Sequence, residues 1–286
     1  MRVAHVIITY TNPQQTERLI RKALHRDFDF YIHVDAKFPI STHQYLTEIP
    51  NVYLIQKRVN VQWAAYSTMQ AVFNSVQEIL DSGREYDFIT LMSGQDYPIK
   101  TTAYMQQFYE ARKGKLLIKY RAFDREWEEG KERISKYFLT NFRFKGQHFF
   151  ERFLNKLIPK RMLPNGIKFY GSSMFWALSP ESLRYILEMI KNVRIKRFFY
   201  FSWAPDEFLI QTILLNSPFA ANVINENCHY YKHLPNTPSP KNLAVEDLDD
   251  IIASDKIWAR KFIMKKNVEI LDKIDAYIDL QNESVS

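Results

Sequence analysis

Chemistry-bearing side chains gather in four short segments. His33-Val34-Asp35 closes an apolar run. Leu91 to Ile99 reads Leu-Met-Ser-Gly-Gln-Asp-Tyr-Pro-Ile and carries Ser93 and Asp96. Tyr170-Gly171-Ser172-Ser173 stands before a helix that Ser179 can cap. Trp203 to Thr212 opens another helix with two neighbouring acids, Asp206 and Glu207. Acids at a helix entry are either ordinary first-turn residues or proton acceptors. Arg260-Lys261 adds two adjacent cations. These are either a solvated helix end or the counter-charge for an anion.

Other chemistries lack their residues. The chain has 7 glycines, and none is arranged as a phosphate-binding GxxxxGK[ST] or a dinucleotide GxGxxG. One cysteine, Cys228, and dispersed His5, His33 and His43 do not make a four-ligand zinc site. Ser172 and Ser173 lack the small–Ser–small elbow of a hydrolase. The acidic pairs Asp27/Asp29 and Asp247/Asp249 lie outside the four segments, and Ser93 to Asp96 holds a single acid. A tightly bound divalent ion is therefore not expected there.

The elements that must position these residues alternate. Val3 to Ile8, Asp29 to Val34, Val52 to Ile55, Phe88 to Met92 and Lys115 to Lys119 have strand length and apolar character. Gln14 to Leu24, Ser67 to Leu80 and Thr101 to Ala111 carry apolar residues at helical spacing between them. Such alternation predicts an α/β fold, a mostly parallel sheet with helices on both faces. Ligands then bind outside the carboxyl ends of the strands, at Thr9 to Asn12, Asp35 to Lys37 and Ser93 to Lys100. Residues 120–165 interleave charge and aromatics and read as a long excursion with helical pieces. Ser179 to Ile190 is a capped helix. Phe208 to Leu215 is a helix entered through Pro205-Asp206-Glu207. Ile257 to Leu280 is amphipathic at helical spacing.

Composition narrows the class. Of 286 residues, 46% are hydrophobic and 15% aromatic, so the chain can form a core and is not disordered. No run of ~18 uncharged apolar residues marks a membrane span. Met1-Arg2 leads straight into the first strand without a cleavage site, and one cysteine suits a reducing compartment, so a cytoplasmic location is expected. The net charge of +7 points to an anionic partner. A nucleic-acid-binding module would concentrate that charge in a stripe, but the basic residues are spread along the chain. No nucleic-acid partner is therefore expected.

In this order and with these gaps, the four segments resemble the core-2/I-branching β-1,6-N-acetylglucosaminyltransferase family, which includes peptide O-xylosyltransferases and many bacterial members. Val61-Gln62-Trp63-Ala64-Ala65-Tyr66-Ser67 is similar to the family's segment before its first long helix. Pro240-Lys241-Asn242-Leu243, through Ser254 to Trp258-Ala259-Arg260-Lys261-Phe262, is similar to its C-terminal signature. The resemblance runs from about Val3 to Phe262. It implies a GT-A type glycosyltransferase fold in one domain over 1–286. A nucleotide-binding half covers about 1–118. An acceptor half and C-terminal phosphate-binding segment cover about 119–286. It further implies an inverting transfer from a UDP-sugar to a glycan hydroxyl, without a divalent metal or other cofactor.

The resemblance assigns roles. Glu207 is the general base; at a helix N-terminus the dipole would favour its ionised form. Lys261, Lys241 and Arg260 face the diphosphate. For the rest of the donor, Asp35 accepts from uracil or ribose, and Ile8 and Thr9 supply backbone contacts. Trp63 packs on the base or lies in the core. Ser93, Asp96, Gly171 and Ser172 line the donor sugar, with Asp96 orienting it or capping the turn at Pro98. Acceptor candidates are Trp203, Asp206, Tyr170, Arg121 and Trp127, with Asp206 a cap or orienter. Two departures stand out: Ala64-Ala65 where glycines are common, and Met174 where Trp is expected. The donor sugar is expected to be N-acetylglucosamine, with xylose and glucose as alternatives. A non-catalytic sugar-binding protein is the other alternative. The acceptor would belong to a surface polysaccharide or a lipid-linked glycan. Basic residues from Arg143 to Arg161, with Lys265-Lys266, could hold the protein at an anionic membrane surface.

Overall fold

Strands buried on both faces dictate the architecture. In the computed structural model, which describes residues 1–286 except Thr11, Glu129, 162–165, 235, 236, 238 and 284–286, β1 (Val3–Thr9) is buried at every position but Ile8. The chain continues through α1 (Pro13–Lys22), β2 (Phe28–Val34), β3 (Val52–Leu54) and α2 (Tyr66–Asp81). Then come β4 (Phe88–Ser93), β5 (Asp96–Pro98), α3 (Thr102–Glu110) and β6 (Leu116–Ala122). The excursion holds α4 (Gly130–Ser135) and α5 (Gln147–Leu157). After it follow β7 (Tyr170–Leu178), α6 (Pro180–Met189), α7 (Val193–Tyr200) and α8 (Leu209–Leu215). The chain closes with β8 (Val223–Ile224), β9 (His229–Tyr230), α9 (Leu248–Ala253), β10 (Trp258–Arg260) and α10 (Glu269–Glu283).

The main sheet has seven strands in the order β3-β2-β1-β4-β7-β6-β8, and a small sheet is ordered β5-β10-β9. The neighbours β3/β2, β2/β1, β1/β4 and β6/β8 are parallel, while β7 runs antiparallel to both β4 and β6. This is the mixed, mostly parallel α/β sheet that the sequence predicts. β6 spans residue 118, and β7 and β8 share the sheet with β1 to β4. Alternation along β1 divides the core. Val3 and Ile7 join α1, α3 and α10 on one face, while Ala4 and Val6 join α2, α6, α7 and α8 on the other.

Register brings the strand ends level. Thr9 lies opposite Val34 and Ile8 opposite Ser93. The Asp35 amide donates to the Thr9 carbonyl at 2.9 Å and the Gly94 amide to the Ile8 carbonyl at 3.1 Å. Thr9, Asp35 and Ser93 therefore meet on one edge, as the strand-end rule requires.

Three expectations need correction. The stretch Ile257 to Leu280 is not one helix, because Trp258–Arg260 forms β10 and helix begins only at Glu269. The contiguous apolar residues Ile257, Trp258 and Ala259 are all buried, which suits a strand; helical spacing starts at Ile270, Leu271, Ile274 and Ile278. Pro205–Glu207 forms a separate 3-10 turn, so the following helix starts at Leu209 rather than Phe208. The turn at Pro98 that Asp96 could cap, its alternative role, is not formed: Asp96–Pro98 is β5, because β10 pairs with it.

The excursion is pinned by Arg161. Its guanidinium is buried and donates to the carbonyls of Lys136 and Phe201, both at 2.8 Å, to the Phe198 carbonyl, and to Ser202 Oγ at 3.1 Å. Those contacts close the segment from α4 to α5 onto the end of α7. Arg161→Leu removes the donor at the Lys136 carbonyl, at about 1–3 kcal/mol, and one of the two donors at the Phe198 and Phe201 carbonyls, which keep Ser202 Oγ and the Phe138 amide. Limited proteolysis is expected to cut the variant within 136–161 at least tenfold faster than the parent, with the rest of the chain intact; equal rates would show that Arg161 does not hold the excursion.

Candidate functional site

The site assembles along the carboxyl edge of the sheet. Asp35 Oδ1 accepts from the Lys37 amide at 2.9 Å and the Val61 amide at 3.4 Å, and Lys37 Nζ lies 3.3 Å from Oδ2. The carboxylate is almost wholly buried. Its first role is thus to hold the loop that carries Trp63. Trp63 is 71% exposed, so the core alternative for it is excluded. Its ring stands edge-on to Trp203 at 5.6 Å.

Two left-handed residues join this loop to the Glu207 turn. Ala64 has φ 57 and Ala204 has φ 47. The Ala204 amide donates to the Ala64 carbonyl at 2.8 Å. Left-handed backbone is unfavourable for any residue with a Cβ, which explains why glycine would be expected at Ala64. Gly171 has a different reason. A Cβ there would lie 2.4 Å from the Trp127 ring, 2.5 Å from Phe208 Cβ and 2.7 Å from the Glu207 carbonyl oxygen. Glycine at 171 lets the Glu207 turn pack on β7, rather than opening space for a sugar.

Glu207 is held from one side. Arg133 Nη1 donates to Glu207 Oε2 at 2.5 Å, while Oε1 makes no hydrogen bond among the described residues. Arg133 lies between two indoles, 4.6 Å from the Trp127 ring and 4.5 Å from the Trp203 ring. Arg121 approaches the Trp127 ring at 5.2 Å. Nothing in the sequence marks Arg133 as a partner of Glu207. It sits in the charged run Lys131-Glu132-Arg133, and no spacing distinguishes it from a solvated cation. Trp127 is buried, so it stacks on Arg133 and Arg121 rather than presenting an open sugar platform. Tyr170 stands edge-on to Tyr120 at 5.8 Å, and its carbonyl accepts from Thr212 Oγ1. Ser172 is half-buried opposite Tyr120 in the strand register.

Asp206 lies within the 3-10 turn, whose N-cap position is Ala204. Its Oδ1 is inaccessible and has no partner among the described residues. Burial, then the neighbouring Glu207 carboxylate, pushes the Asp206 carboxyl up to about 7.

The anion-binding candidates divide into two groups. Asp96 is fully buried. Ser93 donates to it twice, from the amide at 2.7 Å and from Oγ at 2.8 Å, and Arg260 Nε donates at 3.1 Å. His229 Nε2 lies 3.3 Å away. Burial alone would raise the Asp96 carboxyl, but Arg260, His229 and the Ser93 amide outweigh it and hold it below its ordinary value. Asp96 therefore anchors Arg260 instead of reaching a sugar, and Ser93 is committed to Asp96. Lys241 is also committed: Nζ donates to Glu246 at 3.0 Å and to Asp247 at 2.8 Å. Lys261 differs, because it forms no ion pair among the described residues. Its ammonium is lowered by burial, then by repulsion from Arg260 and Lys266. A half-buried cation facing cations favours an incoming anion. The adjoining Phe262 amide bonds to the Gln95 carbonyl at 2.9 Å, so Lys261 lies against the loop after β4. The half-buried Ile8 and buried Thr9 end β1 beside it.

Arg260 and Lys261 thus lie on one side of this sheet edge and the half-exposed Glu207 carboxylate on the other. Comparison with known proteins gives the family. The Core-2/I-Branching enzyme model matches residues 3–252, and the chain belongs to that family of glycosyltransferases. Xylosyltransferase 1 of Rattus norvegicus is 23% identical over 97% of this chain and 35% of its own length. The Ciona intestinalis xylosyltransferase is 22% identical over 96% of this chain and 34% of its own. The chain spans about a third of the length of these curated relatives. Mouse xyloside xylosyltransferase 1, in its apo form, aligns over 90% of this chain and 97% of that chain, with 11% identity and a TM-score of 0.40.

The raised Asp206 carboxyl gives a signed prediction. Its folded value of about 7 exceeds the unfolded value of about 3.9. Its stabilising contribution is therefore complete at low pH and is lost as pH rises through 7. Asp206→Asn is expected to melt above the parent at pH 8 and to converge with it near pH 4. A melting difference independent of pH would contradict this.

Proposed function

We propose that the chain is an inverting, UDP-sugar-dependent glycosyltransferase that adds a sugar to a hydroxyl of a glycan acceptor. The reading rests on Glu207, a part-exposed carboxylate with one oxygen held by Arg133, which itself packs on the Trp203 ring, and the other without a hydrogen bond among the described residues. In a single displacement the acceptor hydroxyl attacks the anomeric carbon from the face opposite the departing UDP. A sugar hydroxyl is a weak nucleophile, so Glu207 Oε1 takes its proton as the bond forms. Arg133 orients that carboxylate, and Trp203 and Trp63 offer apolar faces to a sugar ring. Negative charge grows on the leaving diphosphate. Lys261, with Arg260 steadied by Asp96, supplies positive charge there without a divalent ion. Lys241 would first have to leave Glu246 and Asp247 to join them. Ile8, Thr9 and the Asp35 loop receive the uridine.

N-acetylglucosamine is the proposed donor sugar. The relatives named xylosyltransferases favour UDP-xylose as a second reading, and UDP-glucose is the third. A lipid-linked glycan or surface polysaccharide is the proposed acceptor, on the cytoplasmic side. No helix of the described residues is long and apolar enough to cross a membrane. A non-catalytic sugar-binding role is disfavoured, because binding alone would not require an oriented carboxylate with a free oxygen.

Two measurements test the mechanism. Glu207→Gln is expected to lower transfer by roughly 10²–10⁴-fold while UDP binding by calorimetry stays within a factor of about two; activity within tenfold of the parent would remove Glu207 as the base. Treatment with EDTA is expected to leave transfer largely unchanged. Complete loss that Mn²⁺ restores would refute cationic side chains as the diphosphate counter-charge.

A further inference from the structure

Helix α5 turns its polar side inward and its apolar side outward. Asn155 Oδ1 accepts from the Tyr137 amide at 2.7 Å, and Asn155 Nδ2 donates to the Tyr137 carbonyl at 2.8 Å. Glu151 accepts from the Leu139 amide at 2.7 Å, and Gln147 Nε2 donates to the Leu139 carbonyl at 3.0 Å. The helix is thus fastened to the body by Gln147, Glu151 and Asn155, one polar row at helical spacing. No residue of α5 is buried. Phe149, Phe150, Phe153 and Leu157 are 76%, 46%, 52% and 66% exposed. At helical pitch these four fall within an arc of about 100°. Phe144 extends the patch, 48% exposed and edge-on to Phe150 at 6.2 Å.

Cations frame this patch. Arg152 and Lys156 border the apolar arc, and Arg143, Lys145 and Lys160 stand at its ends, all exposed. The only acid from 136 to 161 is Glu151. Its side chain is 14% exposed and is spent on Leu139. A surface of aromatics and leucine ringed by unopposed cations matches one environment, the headgroup boundary of an anionic bilayer.

We propose that α5 and its flanks, 142–160, dock on an anionic lipid bilayer. This goes beyond the transfer reading and does not rest on it. A second copy fits the face poorly, because a two-fold contact would set the same cations against themselves. The docking helix is also fixed relative to the candidate site. Arg161 pins its far end to α7. Asn141 before it accepts from the Ser67 amide at 3.3 Å and donates to the Tyr200 carbonyl at 2.6 Å. A bilayer held by α5 would therefore set the distance between the Glu207 cleft and an acceptor anchored in lipid.

The test is vesicle co-sedimentation of the full chain. The vesicles are phosphatidylcholine with or without phosphatidylglycerol. Binding is expected only with phosphatidylglycerol, and it should fall with added salt. Phe149→Ser/Phe153→Ser and Arg152→Glu/Lys156→Glu should each weaken it by at least about tenfold, while Lys265→Glu/Lys266→Glu, in the turn before α10, should not. Transfer to a soluble acceptor should be unchanged in both α5 variants, which separates this proposal from the catalytic one. Where a variant melts below the parent, Phe153→Trp in the otherwise unaltered chain supplies the readout. Brominated lipid should quench its added emission. No binding, equal binding to both vesicles, loss only in the Lys265/Lys266 variant, or an unquenched Trp would overturn the proposal. So would a dimer that Phe149→Ser/Phe153→Ser splits, or a single-stranded oligonucleotide bound through this face in place of vesicles.

Discussion

The buried carboxylate of Asp96 is the constraint around which this chain is organised. A charge with no solvent exposure must be compensated, or the fold loses about 3–5 kcal/mol when a partner is removed. Asp96 takes its partners from three places in the chain: Ser93 at the end of β4, His229 in β9 and Arg260 in β10. That requirement draws the C-terminal segment across to the carboxyl edge of the main sheet, where β5, β10 and β9 make their own small sheet. Once Arg260 is committed to Asp96, the next residue, Lys261, is delivered to the same edge without a carboxylate of its own. A structural ion pair thereby creates the electrostatic condition for an anion site beside it.

The opposite wall depends on close backbone approach. Gly171 admits the Glu207 turn and the Trp127 ring to β7. Ala64 and Ala204 accept left-handed backbone so that their two loops can share a hydrogen bond. Such strain persists when surrounding structure over-determines it. Here the surroundings include Arg133, clasped between two indoles and bonded to Glu207. Cation–π contact with both rings leaves the guanidinium little freedom, so the Glu207 carboxylate it bonds is held in one orientation. The same contact uses Trp127, which is why that residue lies inside the wall rather than on it.

The sheet and its edge were legible in the sequence because burial on both faces writes continuous apolar runs, and Val3 to Ile8 and Asp29 to Val34 are of that kind. Asp35, Ser93 and the Asp206-Glu207 pair could be placed because each ends a strand or opens a helix. Arg133 could not be placed, since an arginine in a charged helical run carries no mark of what it will face. Asp96 could be located but not interpreted; a carboxylate three residues after a strand reads the same whether it meets a ligand or a buried arginine. The C-terminal stretch misled for a related reason. Phe262 and Ile263, read together with the apolar residues from 270, satisfy helical spacing by coincidence, and the pairing of 258–260 with β5 and β9 makes the start of the stretch a strand.

Net charge is a poor guide to function until the paired cations are set aside. Lys232 and Lys241 answer Asp247 and its neighbours, and Arg18 answers Asp272 and Asp275 between α1 and α10. Arg161 is buried against carbonyls. What these leave is uneven. At the sheet edge Lys261 forms no ion pair among the described residues, and a group of cations surrounds the outward apolar face of α5. The aromatic excess divides in the same way. Most of it fills the two core layers, but the rings of α5 and Phe144 are solvent-facing although their helix has a polar side available to show instead. A helix that spends its hydrogen-bonding side chains on the protein and leaves its phenylalanines in water is stable only at a cost that burial elsewhere would recover. The cations at its border carry the same implication, since they lower the energy of an anionic surface and of little else within reach.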